Sequence, residues 1–144
     1  MIMVVVDRFS KRARFVATDK TLNSQGVLNL LFRYIFAYHG FPHTIVSDRD
    51  IRFTSSAYEE LTKRLGIKLL LSSSNHPETD SQTESVNKTL GRLLRTYCAQ
   101  DHNIWDTFLP LLEFVYNSTY QAGIGSTPFE VDIGCIPNEL LLDT

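Results

Sequence analysis

Apolar and polar positions fall into blocks that predict a succession of short strands and helices. The run Ile2-Met-Val-Val-Val6 is followed by the polar stretch Asp7–Arg12 and a second apolar run over 13–17, which predicts a hairpin. Residues 43–47 and Ile67–Leu71 are two further short apolar runs and read as strands. Elsewhere the period is helical. Val27, Leu31, Tyr34, Ile35 and Tyr38 recur at helical spacing after Ser24, the expected N-cap of a helix to about His39, with Gly40 to end it. Ser55 or Ser56 caps a helix to Leu65, stopped by Gly66, with acid-first pairs Glu59–Lys63 and Glu60–Arg64 on its exposed face. Val86, Leu90, Leu93, Leu94 and Tyr97 mark the buried stripe of a helix from about Thr83 to Ala99. Trp105 to Tyr116 predicts another, broken or bent near Pro110. Thr127-Pro128 opens a short helix that ends at Gly134. The polar stretch Ser72–Gln82, with Pro77, predicts a mobile loop. Strands alternating with helices after a hairpin indicate an α/β domain with a mixed sheet.

A chain of 144 residues, 43% hydrophobic, fits one domain over residues 1–144. No apolar run approaches the roughly 18–20 residues of a membrane span, so no membrane partner is expected. The N-terminus lacks the basic region and cleavage site of a signal peptide. Cys98 and Cys135 stand alone, which argues against structural zinc and for a reduced, intracellular setting. His39 and His43 are separated by Gly40 and Pro42 and read as loop or surface residues. The net charge of −2 does not announce a nucleic-acid binder, but its distribution says more. Arg8, Lys11, Arg12 and Arg14 crowd the first turn, and Lys88, Arg92 and Arg95 share one helix. Glu130, Asp132, Glu139 and Asp143 lie in a base-free C-terminus. A near-neutral total can hold a basic face opposite an acidic one.

Thirty-five residues separate Asp48, at the end of the run His43–Ser47, from Glu84, in the first turn of a helix. A carboxylate at a strand end and another at a helix start can converge on one divalent cation, since hard cations such as Mg²⁺ take oxygen ligands. Glu84 shares its helix face with Asn87, Lys88, Gly91 and Arg95. Lys88 and Arg95 could hold phosphates, Asn87 could position a sugar-phosphate oxygen or water, and Gly91 would let a backbone approach. An ordinary solvated face accounts for the same residues, and spacing alone leaves both readings open.

The words Val-Val-Asp7-Arg-Phe-Ser-Lys11, His39-Gly-Phe-Pro42, Ile45-Val-Ser-Asp48-Arg-Asp50, His76-Pro-Glu-Thr-Asp80, Gln82-Thr-Glu84 and Tyr116-Asn117 resemble the integrase catalytic core of gypsy-like (metavirus-type) LTR retrotransposons. The likeness covers nearly the whole chain, down to Ser126-Thr-Pro-Phe129 and Gly134–Pro137, and extends more distantly to retroviral integrases. It implies an RNase H-like mixed sheet flanked by helices and an Asp-Asp-Glu metal site, in which Asp48 and Glu84 match the second and third acids. It further implies Mg²⁺- or Mn²⁺-dependent 3′-end processing and strand transfer, and partners in element-end and target DNA. A homodimer or association with full-length integrase, in cytoplasm and nucleus, also follows. On this reading Arg8, Lys11, Arg12, Asn87, Lys88 and Arg95 contact nucleic acid.

Two departures from the family pattern stand out. Ser81 occupies a position where the family has Gly; if that backbone needed positive φ, the loop before Glu84 would be strained. Asp7 ends a strand and invites assignment as the first acid. The resemblance instead places it in the family's second strand, as a turn residue whose side chain caps backbone N–H groups. The expectation is then an N-terminally truncated core that lacks its first, central strand and has weakened metal binding and activity. The alternative is a non-catalytic nucleic-acid-binding or dimerisation remnant of a decayed element.

Overall fold

The computed structural model describes residues 1–72, 81–99 and 102–137, with the side chains of 81–83 and 102 outside that description. Its contacts form two compact units, one of residues 1–17 with 82–144 and the other of residues 18–81.

The first unit begins with the expected hairpin, β1 (Ile2–Val6) antiparallel to β2 (Ala13–Ala17), paired Val4 to Phe15. Ile2, Val4, Val6, Ala13 and Phe15 alternate along the strands, so they share one face. That face meets α5 (Ser81–Tyr97) through Val86 and Leu90, and α6 (Trp105–Asn117) through Leu109, Leu112 and Tyr116. Phe15 and Tyr116 pack edge-on, 5.8 Å between ring centres. At the end of α5 the smaller Cys98 is buried while Tyr97, expected in the stripe, is 45% exposed. A phenol tolerates water at the rim of a core. At Pro110, where a break or bend was expected, α6 is unbroken from Trp105 to Asn117. The N–H that proline lacks would have met the carbonyl of Asp106, an exposed residue in the first turn of α6.

A sheet edge carries unpaired backbone groups, and α6 seals that of β2 with side chains. The buried Asn117 amide accepts from Ala13 N–H and donates to Ala13 C=O, both at 2.9 Å. One turn earlier, Glu113 accepts Phe15 N–H at 2.8 Å. Burial pushes the Glu113 carboxyl up, while the Phe15 N–H and the nearby Arg14 and Arg12 pull it back. The short helix α7 (Pro128–Ile133) forms as expected. Thr127 accepts Glu130 N–H and donates to its carboxylate, and Gly134 closes the helix at φ 82°.

In the second unit α1 spans Ser24–Leu31, continues through a π-helical turn over Phe32–Phe36 and ends as α2 (Ala37–His39) at Gly40, φ 75°. Asn23, not Ser24, is the cap, accepting Gly26 N–H at 2.9 Å. Ser24 instead accepts from the Ser55 hydroxyl. The wider π turn shifts the helix phase, so Phe36 goes inward and Tyr38, expected in the stripe, is 72% exposed. β3 (Thr44–Ser47) pairs in parallel with β4 (Lys68–Leu71). Between them lie the short helix α3 (Ile51–Thr54), which the sequence pattern did not reveal, and α4 (Ser56–Arg64), capped by Ser55. Glu60 and Arg64 close one of the two expected ion pairs. Tyr58 is fully buried with no partner for its hydroxyl, and burial pushes the phenol up to about 12.

Among the described residues β1 pairs only with β2, antiparallel, and β3 only with β4, parallel, so the strands form two two-stranded sheets where one mixed sheet was expected. The predicted loop Ser72–Gln82 lies almost wholly outside the described residues. Its end is helical, since α5 begins at Ser81 rather than Thr83, so the backbone of Ser81 has no need of glycine's freedom.

Candidate functional site

β3 delivers Asp48 to the surface of the second unit, where its Oδ1 accepts Asp50 N–H at 3.1 Å. Asp48 is exposed, and the charge of Arg52 also acts on it. Asp50, two residues on, is differently employed. It caps α3 by accepting Arg52 N–H and grips the Arg52 guanidinium with both oxygens, at 2.8 and 2.9 Å. The Arg52 guanidinium holds the Asp50 carboxyl below its usual range. Of two neighbouring aspartates, Asp50 holds the Arg52 guanidinium with both oxygens, whereas Asp48 is the more exposed and accepts a single backbone N–H.

Helix α5 brings Glu84, Asn87, Lys88 and Arg95 of the first unit to one face, and all four are exposed. A first-turn glutamate also suits the positive end of the helix dipole. Gly91 lies in the middle of that face. A Cβ built there would stand 3.4 Å from an Arg95 guanidinium nitrogen, so the arginine lies back along the helix over the glycine. This is the direction helical side chains favour, toward the N-terminus and hence toward Glu84. The face thus aligns a carboxylate, an amide and two cations along one row.

The remaining predicted cations sit at the β1–β2 turn. Asp7 is the cap of that turn, its Oδ1 accepting Phe9 N–H at 2.8 Å and Ser10 N–H at 3.0 Å. Arg12 is bound internally: it pairs with Asp132 and its guanidinium lies 5.0 Å over the Phe129 ring. Arg8 is exposed, and Lys11 spends one donor on the Arg8 carbonyl at 3.0 Å. Arg8 and Lys11 therefore remain open to an anion, whereas the Arg12 charge is already compensated.

Asp48 and Glu84 belong to different units, and each presents a hard oxygen donor of the kind Mg²⁺ takes, one or two carboxylates completed by water. Among the described residues no group of three or more His, Cys, Asp and Glu is gathered for a metal ion. No described helix is long and apolar enough to cross a membrane. Sequence reasoning overlooked the division of labour between Asp48 and Asp50. Its signal was the pair Asp50 and Arg52, a cap followed two residues later by a cation.

Residues 1–77 match the integrase core domain family. The Tf2-3 and Tf2-4 transposon polyproteins of Schizosaccharomyces pombe are each 33% identical over 90% of this chain, which spans about a tenth of their length. Among solved structures, the intasome of simian T-cell lymphotropic virus aligns with a TM-score of 0.78 at 21% identity, over 94% of this chain and 50% of that one. The HTLV-2 integrase catalytic core domain in complex with magnesium aligns at 0.71 and 20%, over 90% of this chain and 82% of that one. The fold is the mixed α/β fold of retroviral integrase catalytic cores, and the chain belongs to the integrase core domain family.

Proposed function

We propose that this chain is the core of a retrotransposon integrase and serves DNA integration by divalent-cation-dependent phosphoryl transfer, that is, 3′-end processing and strand transfer. The observation that carries the reading is the family match, joined to two acids, Asp48 and Glu84, that the fold leaves exposed. Asp48 and Glu84 would hold Mg²⁺ or Mn²⁺, which in such chemistry activates the attacking oxygen and stabilises the leaving one. The chain's other residues position the DNA. Lys88 and Arg95 neutralise phosphates beside Glu84, and Asn87 orients a sugar-phosphate oxygen or water. Arg8 and Lys11 add contacts at the hairpin turn. No side-chain nucleophile is required. The partners are then element-end and target DNA, with a second copy or a full-length integrase completing the assembly in the cytoplasm and nucleus. The HTLV-2 core solved with magnesium and the simian viral intasome support this assignment of cation and partner by analogy of fold.

The test is strand transfer on donor oligonucleotides by the element's integrase carrying this core, with Mg²⁺ or Mn²⁺. Glu84→Gln is expected to lower the rate by about a hundredfold or more, the scale on which a catalytic electrostatic group acts. Undiminished strand transfer by that variant would overturn the assignment.

A further inference from the structure

We propose that the β1–β2 turn is a base-stacking contact, in which the Phe9 ring stacks on an unpaired nucleobase while Arg8 and Lys11 hold the flanking phosphates. The inference rests on the reading of this chain as a DNA-acting protein and adds a contact outside its acidic residues. Phe9 is 83% exposed, more than any other large hydrophobic residue described. It is not exposed because the turn is loose. Asp7 Oδ1 holds the Phe9 and Ser10 N–H groups, Lys11 N–H reaches Asp7 C=O at 2.9 Å, and Asp7 N–H reaches Arg12 C=O at 2.8 Å. Ser10 is buried and its hydroxyl accepts Arg12 N–H at 3.1 Å. Lys11 adopts the left-handed conformation, φ 65°, two residues before β2 begins. For a residue other than glycine that conformation costs energy and is kept only where the surroundings impose it. The result is a rigid tip that aims one phenyl ring at solvent.

The charges around the ring select the partner. Arg12 is neutralised by Asp132, and the Asp7 carboxylate is engaged by two N–H groups of the turn. Arg8 and Lys11 flank Phe9 in the turn, and the Lys11 ammonium donates to a neutral carbonyl with no carboxylate pairing it among the described residues. A protein interface would want a contiguous apolar patch around such a ring. The sequence supplies cations on either side instead. An aromatic face beside cations is the arrangement that binds single-stranded nucleic acid, because every base offers a π-face and every nucleotide a phosphate. A base already unpaired, as at a frayed DNA end, would be bound with least cost.

The experiment measures binding of the chain to a fluorescein-labelled oligo-dT strand and to a blunt duplex of equal length, by anisotropy over a salt series. Phe9→Ala is expected to weaken single-strand binding about tenfold, in line with the loss of one aromatic stack, and to leave duplex binding within about twofold. Phe9→Trp should retain binding, and its fluorescence should be quenched by the oligonucleotide. Arg8→Gln should weaken both ligands and reduce the salt slope by about one. Melting temperatures of the variants check the fold, from which an exposed ring removes no core contact. If the unaltered chain binds DNA and Phe9→Ala binds the single strand equally well, the stacking contact is overturned while the integrase reading stands. If the unaltered chain binds neither ligand, both fall.

Discussion

Helices α5 and α6 pack on the same hairpin and spend their polar residues in opposite ways. Along α6, Glu113 and Asn117 turn inward and meet the backbone of β2, so the groups a bare sheet edge would leave open are satisfied. Along α5, Glu84, Asn87, Lys88 and Arg95 turn outward. A polar side chain that is buried and fully paired is part of the fold. One that is exposed and uncommitted costs nothing to the fold and is available for a ligand. A milder form of the contrast separates Asp50, gripping Arg52 with both oxygens, from the more exposed Asp48, which accepts one backbone N–H.

The sharpest way to break the comparison is to truncate one member of each set. Asn117→Ala removes both partners of the buried Ala13 backbone and is expected to destabilise the chain by about 2–4 kcal/mol. Glu84→Gln or Asn87→Ala should change stability by less than about 0.5 kcal/mol, as surface substitutions do. Urea unfolding of the three variants checks this. Equal losses would mean that α5's outer face is also structural.

A smaller effect sharpens the α6 side. Burial is the largest influence on Glu113 and raises its folded pKa above the unfolded value. Its protonated form is therefore the one favoured by folding. That contribution is fully present below the unfolded pKa and is lost as pH rises through the folded one. Glu113→Gln keeps an oxygen for Phe15 N–H without the charge. Its stability relative to the parent is expected to improve from pH 4 to pH 7, read from paired thermal melts. A relative stability that worsens over that range would show that the Arg14 pairing, 3.7 Å away, outweighs desolvation.

Much of this arrangement was legible in the sequence. Strands β1 and β2 fall where their apolar runs lie, because a hairpin needs only local pattern and a polar turn. Thr127 and Ser55 were readable as caps for the same reason. What escaped depends on events that pattern does not encode. Asn23 and Ser24 are both competent caps, and adjacent choices differ little in energy. The π turn at Phe32–Phe36 leaves no mark in composition, yet its extra residue per turn put Phe36 in the core beside a half-buried Ile35 and turned Tyr38 outward. Asn117 was visible only as part of a familiar dipeptide, since its role lies in a strand more than 100 residues away. The candidate acids were legible by spacing and resemblance, whereas the difference between Asp48 and Asp50 required the Arg52 contact.

The proposed function has Asp48 and Glu84 acting on one divalent cation, and paramagnetic broadening tests that proposal most directly. With substoichiometric Mn²⁺ added to the ¹⁵N-labelled chain, amide signals should broaden at both Ser47–Asp50 and Glu84–Lys88, and Glu84→Gln should abolish both effects together. Broadening confined to one of these segments, or absent from both, would contradict the account.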